Sequence, residues 1–218
     1  KVNVISLLDE LDESASDVGA VNTIKNEKGR LIGYNTDGAG AVRALEREVG
    51  KLAGRRVLLL GAGGAARAIA FSLVKKGAEL TIANRTASRA QGLVASIKRK
   101  LGKSVKRIAL TRRELAGAVK RADILINATT VGMHPGINRT LVTADMMYRE
   151  LVVNDIVYEP PQTKLLREAK RAGARTITGL GMLVHQGALA FEIWTGRRAP
   201  IRIMEAAIKR ELRRWEEK

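Results

Sequence analysis

Gly61, Ala62, Gly63, Gly64, Ala65 and Ala66 form a run with little or no side chain, directly behind the apolar stretch 55–60. The spacing matches G-x-G-x-x-G/A, in which a strand turns sharply into a helix. Gly61 permits the tight turn, Gly63 lets the backbone approach a bound group, and Gly64 leaves room beside it. Ala66 keeps helix and strand close. The chemistry such a turn serves is pyrophosphate binding, because a helix N-terminus offers unpaired N–H groups and the positive end of its dipole. Roughly 20 residues further on, an Asp or Glu would normally bond the ribose 2′-hydroxyl of NAD. Here Asn84, Arg85 and Thr86 hold that place, with Arg89 one helical turn beyond. A carboxylate would repel a 2′-phosphate, whereas the Arg85 guanidinium can pair with one, and Asn84 and Thr86 add neutral donors. The cofactor implied is NADP. Thr86 also stands where it would cap a helix beginning at Ala87.

These residues need a scaffold, and the pattern around them supplies one. Short β-rich runs at 55–60, 79–83, 105–110, 123–127, 151–157 and 174–178 read as strands. Helical patterns fall between most of them, at 65–76, 87–101, 112–121 and 164–172, with Gly77 where the first should end. Such alternation predicts an α/β fold, a Rossmann-type doubly wound parallel sheet with helices on both faces. Two further helices are expected at 181–194 and 202–217. The first 54 residues alternate less cleanly: a strand at 2–5, a segment at 20–24, a hairpin through Glu27, Lys28 and Gly29, and a helix at 40–49. They read as the remainder of a smaller α/β domain. The expected division is therefore 1–50 for that remainder, 51–180 for the dinucleotide-binding domain, and 181–218 for helices packing back towards the first.

The composition is that of an ordinary globular protein, 45% hydrophobic and 28% charged, with no cysteine. Disulfides, thiolate metal sites and thiol nucleophiles are excluded, and no metal site is expected. No apolar run approaches the roughly 18 residues of a membrane span, so no membrane partner is expected and the chain reads as cytoplasmic. The outlying number is the net charge of +17. Lys and Arg alternate with Glu, as in 43–48 and 210–214, which predicts solvated helix faces with i,i+4 pairs. Only 3% of residues are aromatic, which disfavours a nucleic-acid partner.

The motifs taken together resemble those of the shikimate dehydrogenases, which reduce 3-dehydroshikimate with NADPH. They run in order along essentially the whole chain: 19–23 (GAVNT), 33–38 (GYNTDG), the 61–66 loop, 84–86 (NRT), 127–133 (NATTVGM), 155–158 (DIVY), 179–186 (GLGMLVHQ) and 191–196, ending WTG. The resemblance implies that Lys1 and Asp37 are catalytic and that Asn22, Tyr158 and Gln186 face the substrate. It also implies that Gly179 and Met182 line the nicotinamide pocket and that Asn127 and Thr130 lie beside the cofactor. Reducing a ketone needs a proton on oxygen, which a lysine ammonium can donate while an aspartate orients it. From the residues alone, Asp37 between Thr36 and Gly38 reads as a turn aspartate. His134 and His185 have no implied role. Members of the family begin with a further βαβ-rich, serine-containing stretch, which does not precede Lys1 in this sequence.

The expected substrate pair is shikimate and 3-dehydroshikimate, and a homodimer is the candidate assembly. Competing readings are a quinate/shikimate dehydrogenase of broader specificity, which Asn84, Arg85 and Thr86 disfavour where it uses NAD, and an NADP-binding fragment without catalysis. A glutamyl-tRNA reductase would need a cysteine. A polyanion-binding protein rests on charge alone.

Overall fold

The computed structural model describes residues 3–216. After a short 3-10 turn at Ile5–Leu7, the first part of the chain holds β1 (Glu10–Leu11), α1 (Glu13–Val18), β2 (Thr23–Glu27), β3 (Arg30–Tyr34) and α2 (Asp37–Val49). The strands form a small sheet in the order β1-β3-β2, with β1 parallel and β2 antiparallel to β3. Lys28 and Gly29 make the hairpin turn between β2 and β3, both at positive φ. The strand expected at 2–5 is absent from residue 3 onward. Among the described residues ladder pairing begins only at Glu10 against Ile32, and Leu7 N–H closes a local turn on the Val4 carbonyl at 3.0 Å.

The second part follows the expected alternation: β4 (Arg56–Leu60), α3 (Gly64–Lys75), β5 (Glu79–Asn84), α4 (Ala87–Leu101), β6 (Lys106–Ala109), α5 (Arg112–Val119), β7 (Ile124–Asn127), β8 (Val152–Asp155), α6 (Lys164–Arg171) and β9 (Arg175–Ile177). The strand order is β6-β5-β4-β7-β8-β9, and every neighbouring pair is parallel. A parallel sheet covered on both faces needs apolar residues on both sides of each central strand. Val57 to Leu60 and Ile124 to Ile126 meet that demand, each at most 2% exposed. One face packs on Ile69, Leu73, Leu93 and Ile97, the other on Leu115, Val119, Leu165 and Leu166.

Two helices close the chain, α7 (Leu180–Thr195) and α8 (Ile201–Glu216). Among the described residues no helix is long and apolar enough to cross a membrane. Among the described residues the expected pairing of charges within helices is largely replaced by pairing between elements; the side chains of 213 and 214, in the expected 210–214 run, lie outside them. From α2 alone, Arg43 reaches Glu192, Glu46 reaches Lys76, Arg47 reaches Glu205 and Glu48 reaches Arg175. The reason is position: α2 lies among α3, α7, α8 and the β9 edge, so its charged flanks meet neighbours rather than open solvent.

What brings α2 so close is missing bulk. A Cβ on Gly38 would stand 2.3 Å from the Ala68 carbonyl of α3, and one on Gly40 would stand 2.6 Å from the Gln186 nitrogen of α7. Both are distances that packed atoms do not tolerate, and the nearest obstructing atoms are backbone, with the Ser72 hydroxyl also 2.4 Å from the Gly38 position. Gly40→Ala is expected to cost about 2–3 kcal/mol by overpacking. Gly92→Ala, in α4 with open space around the added methyl, is expected to gain about 0.5–1 kcal/mol from helix propensity. Urea denaturation of the two variants beside the parent chain measures both, and a tolerated Gly40→Ala would refute the close crossing.

Candidate active site

The carboxyl ends of β4, β5 and β7 meet where the strand order reverses, the position at which open parallel sheets bind ligands. Gly61 follows β4 with φ +115°, a conformation that favours glycine. A side chain there would also strike the Ala128 carbonyl at 2.7 Å. The turn is pinned on one side by Gly61 N–H donating to the Ala83 carbonyl at 2.8 Å, and on the other by Ala128 N–H donating to the Leu60 carbonyl at 2.9 Å. Gly63 is the N-cap of α3 and offers no side chain to satisfy the helix end. A Cβ on Gly63 or Gly64 would meet nothing within 4 Å. The first-turn N–H groups of α3 therefore open onto a clear space, as a bound pyrophosphate requires. Ala62 and Ala65 are half-buried beside this opening.

The end of β5 lies next to this turn. Asn84 Nδ2 donates to the Thr86 carbonyl at 2.9 Å, which shapes the step into α4. Thr86 is the N-cap residue by position, but its side chain makes no capping bond; the expectation that it caps the helix is corrected, and its hydroxyl is left for another partner. Arg85, Thr86 and Arg89 are all exposed. No acidic residue occurs between Glu79 and Glu114. This donor set suits a 2′-phosphate and repels nothing about it.

On the far side of the turn, Asn127 is buried and its amide is fully engaged by the protein. Its Oδ1 accepts from Thr129 N–H and Oγ1 at 3.1 and 2.7 Å, and its Nδ2 donates to Val131 O and to Asp155 Oδ1 at 3.1 and 2.9 Å. Asn127 thus shapes the loop that carries exposed Thr130. Asp155 is fully buried and accepts further bonds from Val157 N–H and the Thr163 hydroxyl. Burial pushes its carboxyl above the usual range, and those donors oppose the rise. Thr163 was not foreseen in this role; its place just before the helix at 164–172 marks only the N-cap it also forms, accepting Leu166 N–H at 3.3 Å.

Asp37 begins α2 and is 8% exposed. Asn22 Nδ2 donates to its Oδ1 at 2.8 Å and to Thr36 Oγ1 at 3.0 Å, while Asn22 Oδ1 accepts Thr36 N–H at 2.9 Å. Asn35 fixes the backbone below: its Oδ1 accepts Asp37 N–H at 3.1 Å and its Nδ2 donates to the Ala20 carbonyl at 2.9 Å. Asn22 and Asp37 are therefore a bonded pair, and Asn35 and Thr36, present in the 33–38 motif but given no role there, hold it. Gln186 stands against Gly40, one turn along α2 from Asp37, with its Nε2 folded back onto the Leu183 carbonyl at 2.9 Å. Gly179 makes a second close approach: a Cβ on it would stand 2.4 Å from the Ile156 carbonyl. That contact seats the start of α7 over the segment after β8, which carries Tyr158, 42% exposed. Met182, like Ala62, Ala128 and Ile156, is partly buried against the core on this face of the sheet. Lys1 lies outside the described residues.

A contact the sequence reading missed ties the first part of the chain to α3. Arg67 donates from Nε to the Val18 carbonyl, and from Nη2 to Ser96 Oγ at 2.7 Å and the Asp17 carbonyl at 3.4 Å. Its guanidinium lies 5.2 Å from the Phe71 ring centroid. With Lys100 on the Ser16 carbonyl, two cations answer the negative C-terminal end of α1.

The family model described as Shikimate / quinate 5-dehydrogenase matches residues 43–161. The Shikimate 5'-dehydrogenase C-terminal domain matches residues 179–209. The chain belongs to the shikimate/quinate 5-dehydrogenase family. A shikimate dehydrogenase (NADP(+)) of Methanopyrus kandleri is 49% identical over 216 residues, covering 98% of this chain and 74% of that protein. One of Methanothermobacter thermautotrophicus is 50% identical over 217 residues, covering 98% of this chain and 75% of its own length. A crystal structure of a shikimate dehydrogenase in complex with NADP+ superposes with a TM-score of 0.92 at 46% identity, over 97% of this chain and 74% of that one. The doubly wound reading of the sheet is borne out by this match and by the strand order.

His185 adjoins Gln186 and is 7% exposed, with no hydrogen-bond partner for Nδ1. Burial pushes its pKa below the ordinary 6.5, and Arg47 and Arg43 lower it further against the pull of Glu205 and Glu192. The unfolded chain then takes up the proton first. Stability is complete above about pH 6.5 and falls as pH drops through that value. Urea midpoints at pH 7.5 and 5.5 are expected to differ in the parent chain and to differ less in His185→Gln; equal pH dependence in both would exclude this histidine.

Proposed function

We propose that this chain is an NADP-dependent oxidoreductase that interconverts shikimate and 3-dehydroshikimate. The observation that carries the reading is the juxtaposition of the bonded Asn22–Asp37 pair, packed through α2 onto α3, with the glycine turn at the N-terminus of that same α3. The family to which the chain belongs and the NADP-dependent relatives support the substrate and cofactor. When bound, the nicotinamide supplies or accepts the hydride.

The remaining steps belong to the protein. The first-turn N–H groups of α3 hold the pyrophosphate, and Arg85, with Arg89 and the hydroxyl of Thr86, holds the 2′-phosphate. Met182 and Gly179 border the nicotinamide, Gly179 because only a residue without a side chain lets α7 start against Ile156. Gln186 and Tyr158 face the substrate hydroxyls. Asp37 holds the donor of the proton that the ketone oxygen must gain, in the role the family gives Lys1. Asn22 fixes the orientation of the carboxylate through the 2.8 Å bond. In this scheme residues 1–50 are the remainder of the substrate domain, 51–180 the NADP domain and 181–218 the helices that join them, a division supported by the separate three- and six-stranded sheets.

The test is spectrophotometric: NADPH formation from shikimate and NADP by the parent chain, Asp37→Asn and Arg85→Ala. Asp37→Asn is expected to lower kcat by about 10²–10⁴-fold with NADP affinity unchanged, as loss of an acid–base group does. Arg85→Ala is expected to raise the KM for NADP about tenfold or more and leave that for NAD nearly unaltered, since it removes a charge-assisted contact of about 1.5–3 kcal/mol. Quinate turned over as fast as shikimate would shift the reading to the broader dehydrogenase. NADP binding without turnover would leave only the cofactor domain.

A further inference from the structure

The net charge of +17 is not absorbed by the site above, and part of it gathers at the opposite end of the sheet. A cavity of about 610 Å³ opens there at the amino ends of β4, β5 and β6. Its floor is apolar, made by Val57, Leu80, Ala118 and Ala122, each at most 6% exposed. Around the rim stand Arg56, Lys103, Lys106, Arg107 and Arg121, with Glu79 the single acidic residue lining it. Arg56 is neutralised by Asp123. Lys103, Lys106, Arg107 and Arg121 carry no ion pair among the described residues, whereas Arg175, Lys75, Lys76 and Arg112, which also flank the sheet, do.

Two ordinary accounts of these cations fall short. Basic residues often stabilise helix C-termini, and α3, α4 and α5 all end at this cavity. On α4, however, Lys98, Arg99 and Lys100 already fill the last turn. Lys103, Lys106 and Arg107 follow that helix, and among the described residues no hydrogen bond from them to a helix carbonyl is formed. A solvated charged face is the other account, but a solvated face is convex. Here β6 begins its ladder only at Lys106 opposite Thr81, so the outer edge of β5 at Glu79 and Leu80 lacks a partner strand. The notch so formed has a polar backbone wall, the Ser104 side chain, and unpaired cations on its rim.

We propose that this cavity binds a small, multiply charged anion, of the class of metabolites carrying two or more phosphate groups. Its volume suits a metabolite. The absence of any aromatic residue from its lining argues against a nucleic-acid strand, whose bases need stacking surfaces. The site is separated from the cofactor turn by the length of β5, which runs from Glu79 in the cavity to Asn84 at the cofactor turn.

Tripolyphosphate is the probe, measured by equilibrium dialysis against the full chain in about 0.1 M salt with NADP saturating. One equivalent is expected to bind, and acetate is not expected to compete. The combined Lys106→Ala, Arg107→Ala and Arg121→Ala variant is expected to bind about a hundredfold more weakly, from about fivefold per cation near the surface. The charge-keeping Lys106→Arg, Arg107→Lys pair and Arg85→Ala are each expected to bind as the parent does. Loss of binding on NADP saturation or in Arg85→Ala would assign the anion to the cofactor turn and overturn the proposal. So would undiminished binding in the triple alanine variant, which means a diffuse field. A single-stranded oligonucleotide that binds more tightly the longer it is would replace the small anion with a polymer.

Discussion

The close crossing of α2 with α3 and α7 governs the geometry of the site. Helices pack with axes about 8–10 Å apart, set by the side chains between them. At Gly38 and Gly40 there are none, and the contacts are to backbone: the Ala68 carbonyl on one side and the Gln186 main chain on the other. Gly181 repeats the device against Ala44, where a Cβ would stand 3.1 Å away. Because the nearest neighbours at Gly38 and Gly40 are backbone atoms, the approach has little freedom to slide. Asp37, at the first position of α2, is thereby set against the helix whose N-terminus carries the glycine turn. The ion pairs around α2, from Arg43 to Glu48, lie at the rim of this contact, where exposed pairs contribute only about 0–1 kcal/mol each. They decorate the crossing; the glycines define it.

Two asparagine–aspartate pairs show how burial divides labour between similar groups. Asn127 and Asp155 are both sealed in the protein, and every donor near Asp155 is answered by one of its oxygens. Desolvation raises that carboxyl, so the hydrogen bonds from Thr163, Val157 and Asn127 serve to hold it and to brace the loop after β7. Asn22 and Asp37 are sealed less completely, with Asn22 half-buried and Asp37 held from below by Asn35. A group kept in place yet reachable is what acid–base chemistry needs. The same residue types thus brace one loop and hold the start of another element, and the difference lies in what surrounds them.

Much of the fold was legible because buried parallel strands are short apolar runs and their helices are amphipathic. The helix at 87–101 matches α4 residue for residue, since Gly102 stops it and Thr86 precedes it. The first 20 residues were harder. β1 has only two residues, too few to show alternation, and α1 only six. Its cap was nonetheless visible in principle: Asp12 accepts from Ser14 N–H at 2.9 Å, and Gly19 closes the helix at φ +68°. Within the site, the glycine turn and the Asn84–Arg89 donors announce themselves by spacing. The support around Asp37 does not. Asn35 and Thr36 act through contacts to Ala20 and Asn22, some 14 or 15 residues away, and glycines that allow a helix crossing leave no periodic signature. Arg67, which reaches back across 49 positions to Val18, looks in sequence like any solvated arginine on a helix.

The two ends of β5 also explain why a strongly basic chain need not bind anions indiscriminately. At the carboxyl end, N–H groups of α3 are fixed by the helix and point into open space, so their attraction for phosphate carries no side-chain ordering cost. At the amino end, helices α3, α4 and α5 present their negative ends, which oppose an anion, and only long side chains attract it. Ordering each such chain costs about 0.5–1.5 kcal/mol, and exposed charges are screened within about 10 Å at 0.1 M salt. The turn before α3 therefore offers donors fixed by the backbone, with the exposed Arg85 beyond the end of β5, whereas the rim of the cavity offers only mobile cations. The parallel arrangement of the strands, with every helix dipole running antiparallel to them, imposes this asymmetry before any particular side chain is chosen.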